Sequence, residues 1–237
     1  MWILPNLNVF LDQGELHFGS TTQYRKIEEE GGNDWIGDKN DGSLIYPENV
    51  LPNIHAFLTY QGTQYELSNR DILGLKTAIN ENIFCMTKVN IQSDLGNNES
   101  QNKFLYEMHN SILADQRYPK KVVFLNEYEN FIKKVILSLD ILGYSRIDVA
   151  LGNILYDDRY GLAYQLSMRD IMGRGSSYWV NFIKEKRFAV EREQRLMIPA
   201  LNMFDTEFGK NISIGSIRPF VTVYDNLSDF VDQNSTN

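Results

Sequence analysis

Two stretches of this chain hold residue types whose spacing could support chemistry. The later one is KRFAVEREQRLMIPA, residues 186–200, in which Glu191, Arg192, Glu193 and Arg195 stand directly before an apolar run. If residues 189–198 are extended, alternate side chains share a face. Glu191, Glu193 and Arg195 then lie together, with Val190, Arg192, Gln194 and Leu196 opposite. Two carboxylates at neighbouring same-face positions repel, so one pKa rises unless a cation such as Arg195 compensates. The pattern is either an ion-paired strand entrance or a pair of acids at the mouth of a cleft. In the second case Glu191 positions a hydroxyl near the rim, and Glu193, fixed by the buried strand after it, stabilises a developing positive charge.

The earlier stretch is LHFGSTTQYRKIEEE with its sequel IGDKNDG. Ser20, Tyr24, Arg25 and Glu28 follow one expected strand, and Trp35, Asp38 and Asp41 come soon after. A solvated helical turn over residues 24–30 and an acidic loop would account for them. So would a polar ligand held by the Arg25 fork, the Ser20 hydroxyl and Tyr24, with Asp38 organising the loop, since arginine suits planar recognition of phosphate or carboxylate. On this second reading Arg25 and Glu193 share one cleft. A further arrangement groups Asp38, Asp41, Glu191 and Glu193 around Mg²⁺ as in a metal-dependent nuclease.

The remaining reactive types read as structure. Cys85 is the single cysteine and follows an apolar pair, so a core position is expected and no internal disulfide can form. With three histidines, His17, His55 and His109, there is no His/Cys cluster at zinc spacing and no metal site is assigned. GRGSS at residues 173–177 lacks the spacing of a phosphate cradle and reads as a loop capping the next helix. A net charge of −8 argues against work on nucleic-acid phosphates. No apolar run approaches the ~20 residues of a membrane helix, and the opening residues have no basic leader, so a cytoplasmic protein is expected.

The elements that must position these groups follow from periodicity. Strands are expected at GELHFGS, IHAFLTY, QGTQYEL, ENIFCMTKV, KKVVFLN, RIDVALGNILY, QRLMIPAL, NISIGSI and FVTVYDN. Helical spacing marks residues 102–117 and the stretch SYWVNFIKEKRF, while QSDLGNNESQN reads as a polar loop. The clearest helix runs from Asn126 to Leu142, with Tyr128, Phe131, Ile132, Val135, Leu139 and Leu142 on one face and Gly143 as its stop. The sum is a single α+β domain over residues 1–230, with split or mixed, mostly antiparallel sheets, helices in the middle of the chain, and a flexible tail at 231–237.

The order FGS, YR, GD, DG, then FC, GNILYD and EREQRL resembles a loose bacterial and phage family of uncharacterised function, over roughly Leu16 to Ile217. Met86 and Thr87 stand where that family carries a serine after the cysteine. The family is distantly similar to ADP-ribosyltransferases, which grip NAD between two small sheets. The resemblance implies NAD as substrate, Glu193 as catalytic acid, and Glu191 as the acid engaging the acceptor. It implies an ADP-ribosyltransferase or NAD glycohydrolase, toxin-like or serving phage defence. The same residues also fit a non-catalytic module of that fold that binds a nucleotide or a protein partner.

Overall fold

The computed structural model describes residues 7–29, 43–45, 56–60, 63–67, 76–78, 81–110, 121–144, 149–156, 181–198 and 209–235. Asp38, Asp41, Trp35, His55 and the GRGSS stretch lie outside them. The strands are β1 (Glu15–Ser20), β2 (Ser43–Ile45), β3 (Ala56–Tyr60), β4 (Thr63–Leu67), β5 (Lys76–Ala78), β6 (Asn82–Thr87) and β7 (Val122–Leu125). They continue as β8 (Ala150–Asn153), β9 (Leu155–Tyr156), β10 (Ile183–Lys184), β11 (Glu193–Ile198), β12 (Lys210–Ser213) and β13 (Val221–Tyr224). The helices are α1 (Leu7–Gln13), α2 (Thr21–Glu29), α3 (Ile91–Leu95), α4 (Asn98–Asn110), α5 (Tyr128–Ile141) and α6 (Leu227–Asn234). Helix and mostly antiparallel sheet are mixed along the chain, an α+β arrangement.

The centre is a five-stranded antiparallel sheet in the order β12-β1-β6-β11-β8. Residues facing each other across paired strands share a side of the sheet, so the register assigns each face. Leu16, Phe18, Phe84, Met86, Leu196, Ile198 and Ile212 all point to one side, where they join Phe131, Ile132, Val135 and Leu139 of α5 in the main core. The four-residue spacing of α5 therefore serves the purpose the sequence suggests, and Val135 and Leu139 are fully buried. Gly143, at φ 90°, ends that helix: its N–H reaches Asp140 O, and Tyr144 N–H reaches Leu139 O. Leu142 lies past the last turn and is exposed, not part of the buried face.

The β7–β13 ribbon separates this core from a second one. Val123, Leu125, Val221 and Val223 face the main core. Val122, Phe124 and Tyr224 face a cluster built from Leu95, Phe104, Met108, Leu227, Phe230 and Val231. Period-two alternation on a two-sided ribbon produces this division.

Three expectations are corrected. QSDLGNNESQN is not a loop but the end of α3 and the start of α4; Asn90 caps α3 by accepting from Ser93 N–H. The stretch expected to be helical before the charged run holds a two-residue strand, β10, and a 3₁₀ turn over Lys186–Glu191. The tail is helix α6 as far as Asn234, and Val231 is buried because Phe230 and Val231 supply the floor of the second core.

Candidate functional site

On the side of the sheet away from α5, Ile83 and Met197 are buried, and charged groups follow them toward the start of β11. Glu193 and Arg195 point there from β11, and Cys85 faces Arg195 from β6 in direct register. The segment of residues 181–191 covers this face. It brings Lys184 from β10, which pairs in parallel with Tyr156 of β9. Gly152, the β8 residue opposite Arg195, lies where a Cβ would come within 3.1 Å of the Phe182 ring. A glycine therefore lets the covering segment sit close to the sheet.

Arg195 donates from Nε to Glu193 Oε1 at 2.6 Å, and a second guanidinium nitrogen reaches the Asn181 carbonyl at 2.5 Å. The Lys184 ammonium lies 2.8 Å from Glu193 Oε2 and 2.6 Å from Glu191 Oε2, so it bridges the two acids. The Tyr156 hydroxyl accepts from Glu193 N–H at 2.6 Å. Two cations and two anions thus form a closed set, and Arg195 at 1% exposure and Glu193 at 7% are enclosed in it. An arrangement of this kind holds only if its members are mutually satisfied, because each charge alone would be costly to bury.

The titration behaviour follows from that placement. Burial pushes the Glu193 carboxyl up, but Arg195 and Lys184 outweigh it and hold the group well below its ordinary value of 4.5. Burial dominates at Glu191, with repulsion from Glu193 added, and its pKa is raised above 4.5 despite Lys184. Desolvation, reinforced by the Glu193 charge, pushes the Cys85 thiol well above 9.0. Burial likewise raises Tyr156. Glu193 is therefore held ionised and Cys85 protonated at neutral pH, so Glu193 is not a general acid and Cys85 is not a thiolate nucleophile.

Beside this network opens a cleft of about 340 Å³. One wall carries Lys88, Asn90 and Ser93, the other Asn153 and Tyr156, and Arg192 and Glu193 lie between them. The Lys88 side chain is exposed and makes no ion pair among the described residues. Arg192, by contrast, is tied to Asp94 at 2.6 Å and Glu107 at 2.8 Å.

The expected convergence of the two charged stretches does not occur. Ser20 and Ile198 both face Asn82 across the sheet, whereas Glu193 faces Thr87 five residues along β6. Ser20 is thus at the other end of the sheet, about 17 Å along the strand direction, and on the side that α5 covers. It caps α2, accepting from Gln23 N–H at 3.1 Å. Arg25 is buried on α2 and donates to Thr22 Oγ1 at 3.2 Å; Tyr24 is half-buried on the same helix. The cations on Glu193 are Lys184 and Arg195, not Arg25. Glu191 also leaves the expected face, because the strand begins only at Glu193 after a left-handed Arg192 (φ 48°). It returns to the cluster through Lys184 and is the more accessible of the two acids, at 15% side-chain exposure. Asp38 lies outside the described residues, and among those described no three His, Cys, Asp or Glu groups come together as a metal site would require.

Lys184 and Tyr156 are members that residue spacing did not single out. The signal for Tyr156 lay in the quoted GNILYD, since GNILY, FC and EREQR occupy β8–β9, β6 and β11, which pair side by side. Lys184 carried no local signal, because NFIKEKRF has helical spacing. No family model, curated protein or solved structure matches this chain.

Proposed function

We propose that the chain is a binding module for a small polar ligand of the nucleotide class, taken up in the cleft between Lys88 and Tyr156, with Glu193 serving as an anchored anion of the wall rather than as a reacting group. The observation that carries this reading is the occupation of both Glu193 oxygens by Arg195 and Lys184. A carboxylate that stabilises an oxocarbenium ion must turn toward the sugar, and this one turns toward two fixed cations. The cleft volume lies at the lower end of the ~300–1,000 Å³ usual for small-molecule sites. Its polar walls suit hydroxyl-bearing ligands, and Lys88 supplies a cation for a phosphate group. Calorimetric titration with ADP-ribose tests the reading: saturable binding is expected, weakened roughly tenfold or more in Lys88→Gln. A flat isotherm for the parent protein would remove it.

A second reading is favoured by one observation. Glu193 is held ionised and borders the cleft, which suits electrostatic stabilisation of a ribosyl cation in an NAD-consuming transferase or glycohydrolase of the toxin-like kind. Release of nicotinamide from NAD by the purified protein would favour this second reading over the first.

A further inference from the structure

Among the described residues Arg192 is the one non-glycine in the left-handed region, at φ 48° and ψ 41°. Glycine adopts this conformation without steric cost, and a bulky side chain persists there only where its surroundings hold it. Three side-chain contacts and one backbone hydrogen bond do so. The guanidinium reaches Asp94 Oδ1 of α3 at 2.6 Å and Glu107 Oε2 of α4 at 2.8 Å, using two separate nitrogens. It also lies 5.6 Å over the ring of Phe104, a buried member of the second core. Its backbone carbonyl accepts from Lys88 N–H at 2.9 Å.

The position of this residue in the chain gives these contacts their meaning. Arg192 is the single link between the 3₁₀ turn that carries Glu191 and the strand that starts with Glu193. Lys88 and the start of α3 form the facing wall of the cleft. Asp94, besides holding Arg192, accepts from Asn90 N–H at 2.8 Å and so fixes the turn that leads into α3. One side chain thereby connects the Lys88–Asp94 wall, helix α4 and the strand entrance at Glu193.

We infer that Arg192 is the positioning residue of the cleft, a clamp whose ion pairs with Asp94 and Glu107 hold the left-handed backbone and set the spacing between the Lys88 wall and Glu193. A glycine would satisfy the backbone but lose the fork, and a lysine would keep the charge but lose the planar fork whose two separate nitrogens meet Asp94 and Glu107. The choice of arginine where glycine is easier is explained by the need for both bonds.

The inference rests on the nucleotide-binding reading only for its affinity arm, and amide hydrogen exchange tests it separately. In Arg192→Gly the left-handed backbone remains accessible, yet exchange at Lys88 and across residues 91–110 is expected to rise roughly tenfold or more, while Leu196, Met197 and Ile198 in the middle of the sheet keep the parent's protection. Affinity for ADP-ribose falls roughly tenfold in the same variant, and Arg192→Lys recovers part of both effects. Should Arg192→Gly not fold, Glu107→Gln removes one arm without touching the strained residue and is expected to speed exchange over the same segment. Parent-like exchange at Lys88 and residues 91–110 in the folded variant overturns the clamp. Accelerated exchange in a protein that never binds ADP-ribose upholds the clamp and fails the nucleotide reading instead.

Discussion

Glu193 and Glu191 lie one residue apart on either side of Arg192, and the structure pulls their titration in opposite directions. The folded chain holds Glu193 ionised below the ordinary 4.5, so its contribution is present above pH 4.5 and lost as pH falls toward the folded value. Glu191 is raised, so the folded state binds its proton more tightly than the unfolded chain, and stability declines as pH rises from 4.5 through the folded value. Urea denaturation across pH is expected to show Glu191→Gln flattening the limb above 4.5 while leaving the acid limb intact. Glu193→Gln should be far more damaging, because it leaves Arg195 and Lys184 buried without their anion; a loss of about 3–5 kcal/mol is expected. Cys85, kept protonated, should react with a thiol reagent at pH 8 at least about tenfold more slowly in the native protein than in urea. For Arg25→Lys the expectation is an unchanged isotherm for ADP-ribose, since Arg25 lies on α2 beside Thr22 and not at the cleft.

At the scale of elements, periodic patterns proved readable where apolar spacing is regular, whether one face or both are buried. Helix α5 and strands β1, β6, β11 and β13 follow their apolar spacing closely. Val135 is fully buried in the main core, so Val135→Asp should cost about 3–5 kcal/mol and lower the melting temperature accordingly. The charged site was legible only in part. The motifs FC, GNILY and EREQR could be picked out, but that they lie on neighbouring strands is a matter of register, which depends on partners distant in sequence. Lys184 illustrates the limit: its segment has helical spacing, yet contacts with Tyr156 and Phe188 hold it as a short strand and turn. Gly152 offers an element-level test of how closely that segment sits. Gly152→Val should press on Phe182, displace the cover that carries Lys184, and cost about 1–3 kcal/mol.

For the molecule as a whole, two cores share the β7–β13 ribbon, and the cleft lies where the central sheet meets α3. Among the described residues no helix is long and apolar enough to cross a membrane. The chain carries a net charge of −8, so an anionic ligand must be drawn by local cations against the overall field, which makes Lys88 the residue on which affinity should depend most. The central claim is that a nucleotide-class ligand binds beside an anchored Glu193 and not near Arg25. Hydrogen exchange of the intact protein with and without saturating ADP-ribose tests this most directly. The account predicts added protection confined to residues 88–94, 153–156 and 192–193. Protection gathered instead over residues 20–29, or none at all, would contradict it.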